Sequence, residues 1–359
     1  MAGALSSLRV VEFAGLGPTP FAAMWLADHG ASVLRILRPG SRHIFGLDRD
    51  VLDRGRPWVE LDLKSDHGRA AARELVLRAD AVIEGMRPGV VERLGLGPAD
   101  FPEHPALVYG RMTGWGQSGP LAHSAGHDIT YLAITGALHA IGPAMHPSPP
   151  LNLLGDFAGG SMYLVAGMLA AVLHARETGQ GQVVDAAITD GVMHLMAMIT
   201  GLRSAGKWHD RRAANLLDGA APYYTCYACA CAGHVAVGAI EPQFWEVLLR
   251  GLGLDALTLP DRHDPAHWPE LRALLADRFL RRSRDEWASL FEGSDACVAP
   301  VLSMDEAPLH PHNRARTVFC NGEPAPAPRL TVTPGSIGGE GRIDMAHALE
   351  NWPDRRQLR

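Results

Sequence analysis

The sequence predicts an α/β chain of two domains, a large one on a parallel, nucleotide-fold-like sheet and a smaller α+β one, and three observations carry that prediction. Strand-like and helix-like segments alternate through the first half. The pattern changes character after Gly179-Gln180-Gly181-Gln182. The chain's 359 residues, 47% hydrophobic and 20% charged, exceed one ordinary domain and suffice for sizeable cores.

Taken in order, Leu8 to Phe13 is a short β-branched run ending in a turn that holds Gly15, Gly17 and Pro18. Pro20 to His29 is apolar at helical spacing and stops at Gly30, and Ala31 to Leu37 is a second strand closed by Arg38-Pro39-Gly40, which completes a βαβ unit. Val59 to Leu63 is a third strand, Ser65 caps a helix to Ala79, and Ala81 to Glu84 and Leu107 to Met112 are further strands. Strands alternating with helices predict a mostly parallel sheet, although no G-x-G-x-x-G opens the first helix. Phe157 to Leu173 is the longest charge-free apolar run, short of the ~20 residues that span a bilayer, so a core helix is expected and no membrane insertion. Beyond Val183 to Ala187 come a methionine-studded helix, Gly191 to Leu202, and a polar segment through Gly219. Tyr223 to Glu241 reads as strand and hairpin, and Pro242 to Cys297 as helical. A Pro-rich stretch, Asn321 to Gly335, leads to a terminal helix around Asp344 to Trp352.

Composition narrows the function classes. A formal net charge of −6 argues against nucleic-acid or anionic-membrane binding, so an anionic ligand must be met by local arginines. Five cysteines in so long a chain exclude a disulfide-stapled scaffold, and the N-terminus lacks a basic region followed by an apolar run. The closing Arg355-Arg356-Gln357-Leu358-Arg359 is no peroxisomal signal, and a cytoplasmic location is the expectation.

Two glycine-bearing turns concentrate the chemistry. Gly126-His127-Asp128 precedes an apolar run, and histidine is the side chain best able to take and return a proton near neutral pH. A satisfied structural histidine is the plainer meaning, and the chain has 17 of them. Asp156, in Gly155-Asp156-Phe157, opens the apolar run as an N-cap candidate; ionisation is favoured at a helix start and opposed by desolvation. Glu241 lies between a strand and a helix, where a lone acid commonly caps or faces solvent. Cys226, Cys229 and Cys231 look like part of a zinc set, but no second cluster completes it and no metal is expected. Arg38, Arg54, Arg56, Arg87 and Arg93 all fall near the same ends of the predicted sheet, where doubly wound folds bind ligands and guanidinium groups meet phosphate. Met162, Met168, Met193, Met196 and Met198 form either core or a soft apolar surface.

Together these segments resemble the family III CoA-transferase superfamily, and within it the α-methylacyl-CoA racemases. The matching motifs are Leu8 to Glu12, Arg38 to Ser41, Leu61-Asp62-Leu63-Lys64, Arg87 to Val90, Thr113 to Pro120, Gly126 to Ile129, Gly155 to Phe157, Gly181 to Ala186 and Ala221 to Tyr224, spread from residue 8 to about 330. The resemblance implies a two-base exchange at the α-carbon of a 2-methylacyl-CoA through an enolate, with His127 and Asp156 on opposite faces and Glu241 orienting His127. It implies backbone N–H groups at a helix start for the enolate oxygen. CoA is expected against Arg38, Leu61, Asp62, Leu63, Lys64, Arg87, Arg93 and Gly126, the acyl chain on the methionine surface, and no cofactor beyond the substrate's CoA. It further implies an interlocked homodimer with Glu241 acting across the interface. The domains would be a large one over 1–186 and 331–359, a linker over 187–222, a small domain over 223–315 and a second linker over 316–330. The superfamily's CoA-transferases use the aspartate matching Asp156 as a nucleophile and lack the Gly-His-Asp motif, which makes His127 the discriminating residue. A non-catalytic CoA-binding dimer would tolerate loss of either base. The departures from the pattern are the loop Arg42 to Arg56 and the three small-domain cysteines.

Overall fold

A computed structural model describes residues 3–41 and 45–353. Arg42 to Ile44, at the start of the divergent loop, and the C-terminal arginines Arg355, Arg356 and Arg359 lie outside the described residues. Along the chain come β1 (Arg9–Phe13), α1 (Pro18–Asp28), β2 (Ser32–Leu37), β3 (Trp58–Glu60), α2 (Asp66–Arg78), β4 (Ala81–Glu84), α3 (Val90–Arg93) and β5 (Val108–Thr113). Short helices α4 (Asp128–Ala133) and α5 (Ala137–Ala140) follow. A wide π-type helix, Leu153–Ser161, then continues into α6 (Met162–Thr178), ahead of β6 (Val183–Ala187) and α7 (Ile188–Leu195). Next are α8 (Ala197–Ser204), β7 (Tyr224–Ala228), β8 (His234–Gly238), α9 (Pro242–Leu252), α10 (Trp268–Phe279), α11 (Arg284–Phe291) and β9 (Val298–Pro300). The order ends with α12 (Pro311–Ala315), β10 (Phe319–Cys320), β11 (Glu323–Pro324) and α13 (Met345–Asn351).

The chain divides into two compact units. The first, Met1–Ala137, Pro150–Met196 and Arg316–Arg359, holds a six-stranded parallel sheet in the order β3-β2-β1-β4-β5-β6. Its central strands β1 and β4 are buried on both faces, as the continuous apolar runs of a helix-covered parallel sheet require. The order reverses between β1 and β4, the switch point beyond whose C-terminal ends doubly wound sheets bind their ligands. On one face Val11, Phe13, Leu34, Leu75, Val82 and Tyr109 pack with Trp352, beside the last helix. The predicted Ser65 cap forms, its hydroxyl accepting from Gly68 N.

The second unit, Leu138–Pro149 and Ala197–Ala315, carries an antiparallel sheet in the order β7-β8-β9 under an aromatic core of Tyr227, Phe279, Trp287 and Phe291. The helix predicted over Gly191 to Leu202 is interrupted at Met196 into α7 and α8. Residues 187–222 thus contain two helices, and residues 316–330 the β10–β11 ribbon. The first hairpin strand stops at Ala228. Cys229 N bonds Gly233 O at 2.8 Å, so Cys229 and Cys231 sit in a turn beyond the strand, one buried and one exposed.

The apolar run around Asp156 departs most from expectation. Leu153–Thr178 is long and apolar enough, by length and composition, to cross a membrane, and it packs on β5, β6, α1 and α7. Its first part is widened where backbones meet: a Cβ on Gly191 of α7 would overlap Gly159 O, and one on Gly159 would stand 2.5 Å from Val192 Cγ2. Met168 is buried against Gly110, so it belongs to the core, whereas Met162, Met193 and Met198 are exposed.

Candidate active site

His127 is the N-cap of α4 and is exposed. Its N–H donates to Thr130 Oγ1 at 2.9 Å and its carbonyl accepts the Thr130 hydroxyl at 2.7 Å, so backbone bonds fix the turn and leave the imidazole for other work. Gly126, just before it, has no side chain because the Tyr131 ring and Trp115 occupy that space, the two rings meeting edge-on at 4.8 Å.

Asp156 is not the cap of its helix. It is the fourth residue of the wide helix, which begins at Leu153 after Asn152, and its carboxyl takes a hydrogen bond from the Asn152 side chain. Phe157 stacks on Phe21 at 4.4 Å, and the Ser161 hydroxyl lies 2.8 Å from Pro18 O and 2.9 Å from Asp156 O, tying the start of α1 to this helix. Gly17, at φ 63°, brings the turn so close that a Cβ there would stand 3.0 Å from Asp156 Oδ2. The carboxyl is pushed up to about 6, first by burial and then by the negative charge of Asp128, while the Asn152 hydrogen bond and His127 pull the other way. A carboxyl titrating near neutrality can both give and accept a proton. Burial raises the Tyr131 phenol, and the charges acting on it are those of Asp156, Arg87 and Asp128. His127, Asp156, Tyr131 and Arg87 therefore form one electrostatic neighbourhood in the first unit.

The arginines separate into two kinds. Arg54 and Arg56 are structural: Arg54 pairs with Asp28 at 2.6 Å in the interior, and Arg56 is fully buried against Glu12. The expectation that they meet a ligand is corrected, because neither guanidinium reaches solvent. Arg38, after β2, and Arg87, after β4, are exposed at the C-terminal edge of the sheet, with Leu61, Asp62, Leu63 and Lys64 following β3 on that edge. Arg93 is exposed at the end of α3, its Nη1 3.2 Å from where a Cβ on Gly89 would lie. The turn that leads to Arg87 is held by Glu84, which accepts Met86 N at 2.6 Å, and Arg111 bridges Glu84 at 2.8 Å and Glu92 at 2.7 Å.

Glu241 is on the second unit, the exposed N-cap of α9, without a side-chain capping bond and with Pro242 at the first helical position. Its turn is clamped by Arg262, buried over the rings of Tyr223 (4.8 Å) and Trp245 (5.3 Å), which donates to Ala239 O at 3.0 Å and Ile240 O at 2.8 Å. Sequence reasoning gives no role to Arg262, Asn152 or Asp128; only the adjacency of Asp128 to His127 hints at one. Among the described residues, no group of three His, Cys, Asp or Glu side chains is arranged to hold a metal ion.

The architecture and the sequence have known relatives. A solved CAIB/BAIF family protein from Brucella suis superposes over 100% of both chains with a TM-score of 0.82 at 22% identity, which speaks for the fold. The human protein named alpha-methylacyl-CoA racemase is 45% identical over 338 residues, covering 92% of this chain and 87% of its own length, and the mouse protein of that name is 44% identical over 337 residues with the same coverage. The model of the CoA-transferase family III matches residues 5–335. With a matching sheet, matching motifs and a match across nearly the whole chain, this protein belongs to the CoA-transferase family III.

Proposed function

We propose that this chain is an α-methylacyl-CoA racemase, inverting the α-carbon of 2-methylacyl-CoA thioesters by two-base 1,1-proton transfer. The observation that carries the proposal is the Asp156 carboxyl, pushed up to about 6 within the electrostatic reach of His127. Two unlike bases, one a carboxyl tuned towards neutrality, suit a reaction in which each must remove a proton in one direction and return it in the other. In one direction the His127 imidazole takes the α-proton, the C–H electron pair passes into the thioester as an enolate, and the protonated Asp156 carboxyl delivers a proton to the opposite face. The reverse direction exchanges the roles. The 45% identity to the human racemase over 92% of the chain supports the same reading.

The thioester's CoA is assigned to the large domain, 1–186 with 331–359. Arg38, Arg87 and Arg93 face its phosphates, and Leu61, Asp62, Leu63, Lys64 and Gly126 line its path. The exposed side chains of Met162, Met193 and Met198 suit an apolar acyl chain. Glu241, from the small domain 223–315, orients and charges His127 across the interface of an interlocked homodimer, and the clamped Arg262 turn supports so demanding a placement. The proposal requires no cofactor beyond the CoA of the substrate.

A single enantiomer of a 2-methylacyl-CoA incubated in deuterium oxide is expected to racemise and gain α-deuterium together. Transfer of CoA from the thioester to a free carboxylic acid, with release of the donor acid and with neither racemisation nor deuterium uptake, would assign Asp156 the nucleophile's role of a transferase.

A further inference from the structure

One side chain joins the two bases without itself moving the proton. Asp128 opens α4 directly after His127, and its Oδ1 accepts Asp156 N at 2.6 Å. The same carboxylate takes the N–H of Gly155, whose lack of a side chain is obligatory because a Cβ there would overlap Asp128 Oδ1. Asp128 is 8% exposed, and its Oδ2 has no hydrogen-bond partner among the described residues. A buried carboxylate with one idle oxygen is costly, and an asparagine would make the same oxygen-to-N–H contact without burying a charge. Packing alone therefore does not account for an acid at this position.

We propose that Asp128 is a positioning residue of the two-base exchange: its carboxylate ties the backbone of Asp156 to that of His127 and places a second acid beside the Asp156 carboxyl. The inference rests on the racemase reading for its catalytic consequence, not for its electrostatic one. Burial pushes both carboxyls up, but Asp128 holds two backbone N–H donors, which favour its charged form, whereas Asp156 has the Asn152 side chain. Asp156 is thus the member of the pair that gives way. Charged and titratable groups on the surrounding elements are few. Helix α4 supplies His127, Asp128 and Tyr131, the loop after β4 supplies Arg87, and the first turn of α1 is uncharged. Helix α7 carries Asp190, which takes the Thr189 hydroxyl at 3.3 Å, and His194, which pairs with the Tyr163 hydroxyl at 2.6 Å. The two N–H groups engaged by Asp128 are also at a helix start, so any enolate-stabilising donors come from elsewhere in that turn.

The test is an NMR titration of the full-length protein labelled with carboxyl-13C aspartate, the Asp156 signal being assigned by its loss in Asp156→Ala. Asp128→Asn keeps an acceptor for Asp156 N and is expected to move the Asp156 midpoint down by about one pH unit. Its racemisation profile should shift its acid limb in the same direction. Asp128→Ala removes the tether too, and the expected loss of kcat is about 10²-fold. An unmoved Asp156 midpoint in Asp128→Asn, or undiminished kcat in Asp128→Ala, overturns the proposal. Because the midpoint is read without substrate, a wild-type chain that fails to racemise would defeat the functional reading while leaving this one decidable.

Discussion

The turn that holds Asp156 and the turn that holds Glu241 prepare an acid in opposite ways. Asp156 sits in a widened helix between a second carboxylate, an asparagine and the glycine turn before α1, and its surroundings change its chemistry. Glu241 is exposed at a helix start, and what has been built there is the rigidity of its backbone, with a buried arginine stacked on two rings and bonded to the two preceding carbonyls. On the racemase reading, the contrast separates a reacting group, whose electronic state is set, from a group acting through another, whose position is set.

The largest break in the comparison should come from removing a reacting base. Asp156→Ala and His127→Ala are each expected to lower racemisation by about 10³-fold, within the range for general acid–base groups. Residual α-proton exchange followed by NMR in deuterium oxide should be unequal from the two enantiomers. Equal residual exchange would count against a base on each face.

Glu241→Gln is expected to cost less, about 10²-fold in kcat. Arg262→Met should reproduce part of that loss, about 10-fold, although the residue lies beneath the turn; kcat falling in both variants, with KM steady, would separate placement from substrate binding. If Arg262→Met lowers only the melting temperature, the clamp serves the fold alone.

A third comparison concerns stability. The folded carboxyl of Asp156 titrates near 6 against an ordinary 3.8, so the native state resists its ionisation, and stability is lost as pH rises from about 4 through 6. A shift of about two units corresponds to at most ~3 kcal/mol, and partial exposure reduces this to about 1–2 kcal/mol. Asp156→Asn should therefore melt higher than wild type above pH 6 by a few degrees, with the gap closing below pH 4. The smallest effect is expected at the sheet edge, where Arg38→Ala or Arg87→Ala should raise KM about 3-fold with kcat unchanged, and more so at low salt.

Much of the fold was legible because its signals are local. Glycine and proline punctuation around β-branched runs marks the strands of the parallel sheet to within a residue, save β3, which ends at Glu60, three residues short of the expected Leu63, and Ser65 announces its own cap. The misplacement of Asp156 as a cap has a long-range cause. The widened helix meets Gly191 at Gly159, more than thirty residues away, and nothing in Leu153–Ser161 records that partner. Arg54 and Arg38 look alike in sequence for the same reason: the aspartate that takes Arg54 out of solvent is 26 residues back, on α1. His127 and Asp156 were found as types of residue in types of turn, whereas the carboxylate joining them was hidden as the letter after a histidine.

Gly17 carries a final consequence. Its missing side chain is the gap beside Asp156 Oδ2, and its left-handed backbone holds the gap open. A methyl placed there would stand 3.0 Å from Oδ2 and crowd that side of the carboxyl, in a backbone conformation that strains an L side chain. Residue 17 is in that sense a dial on acidity: Gly17→Ala would crowd the Asp156 carboxyl and make it a weaker acid, and the preferred pH of the exchange would follow the size of a side chain that the protein does without.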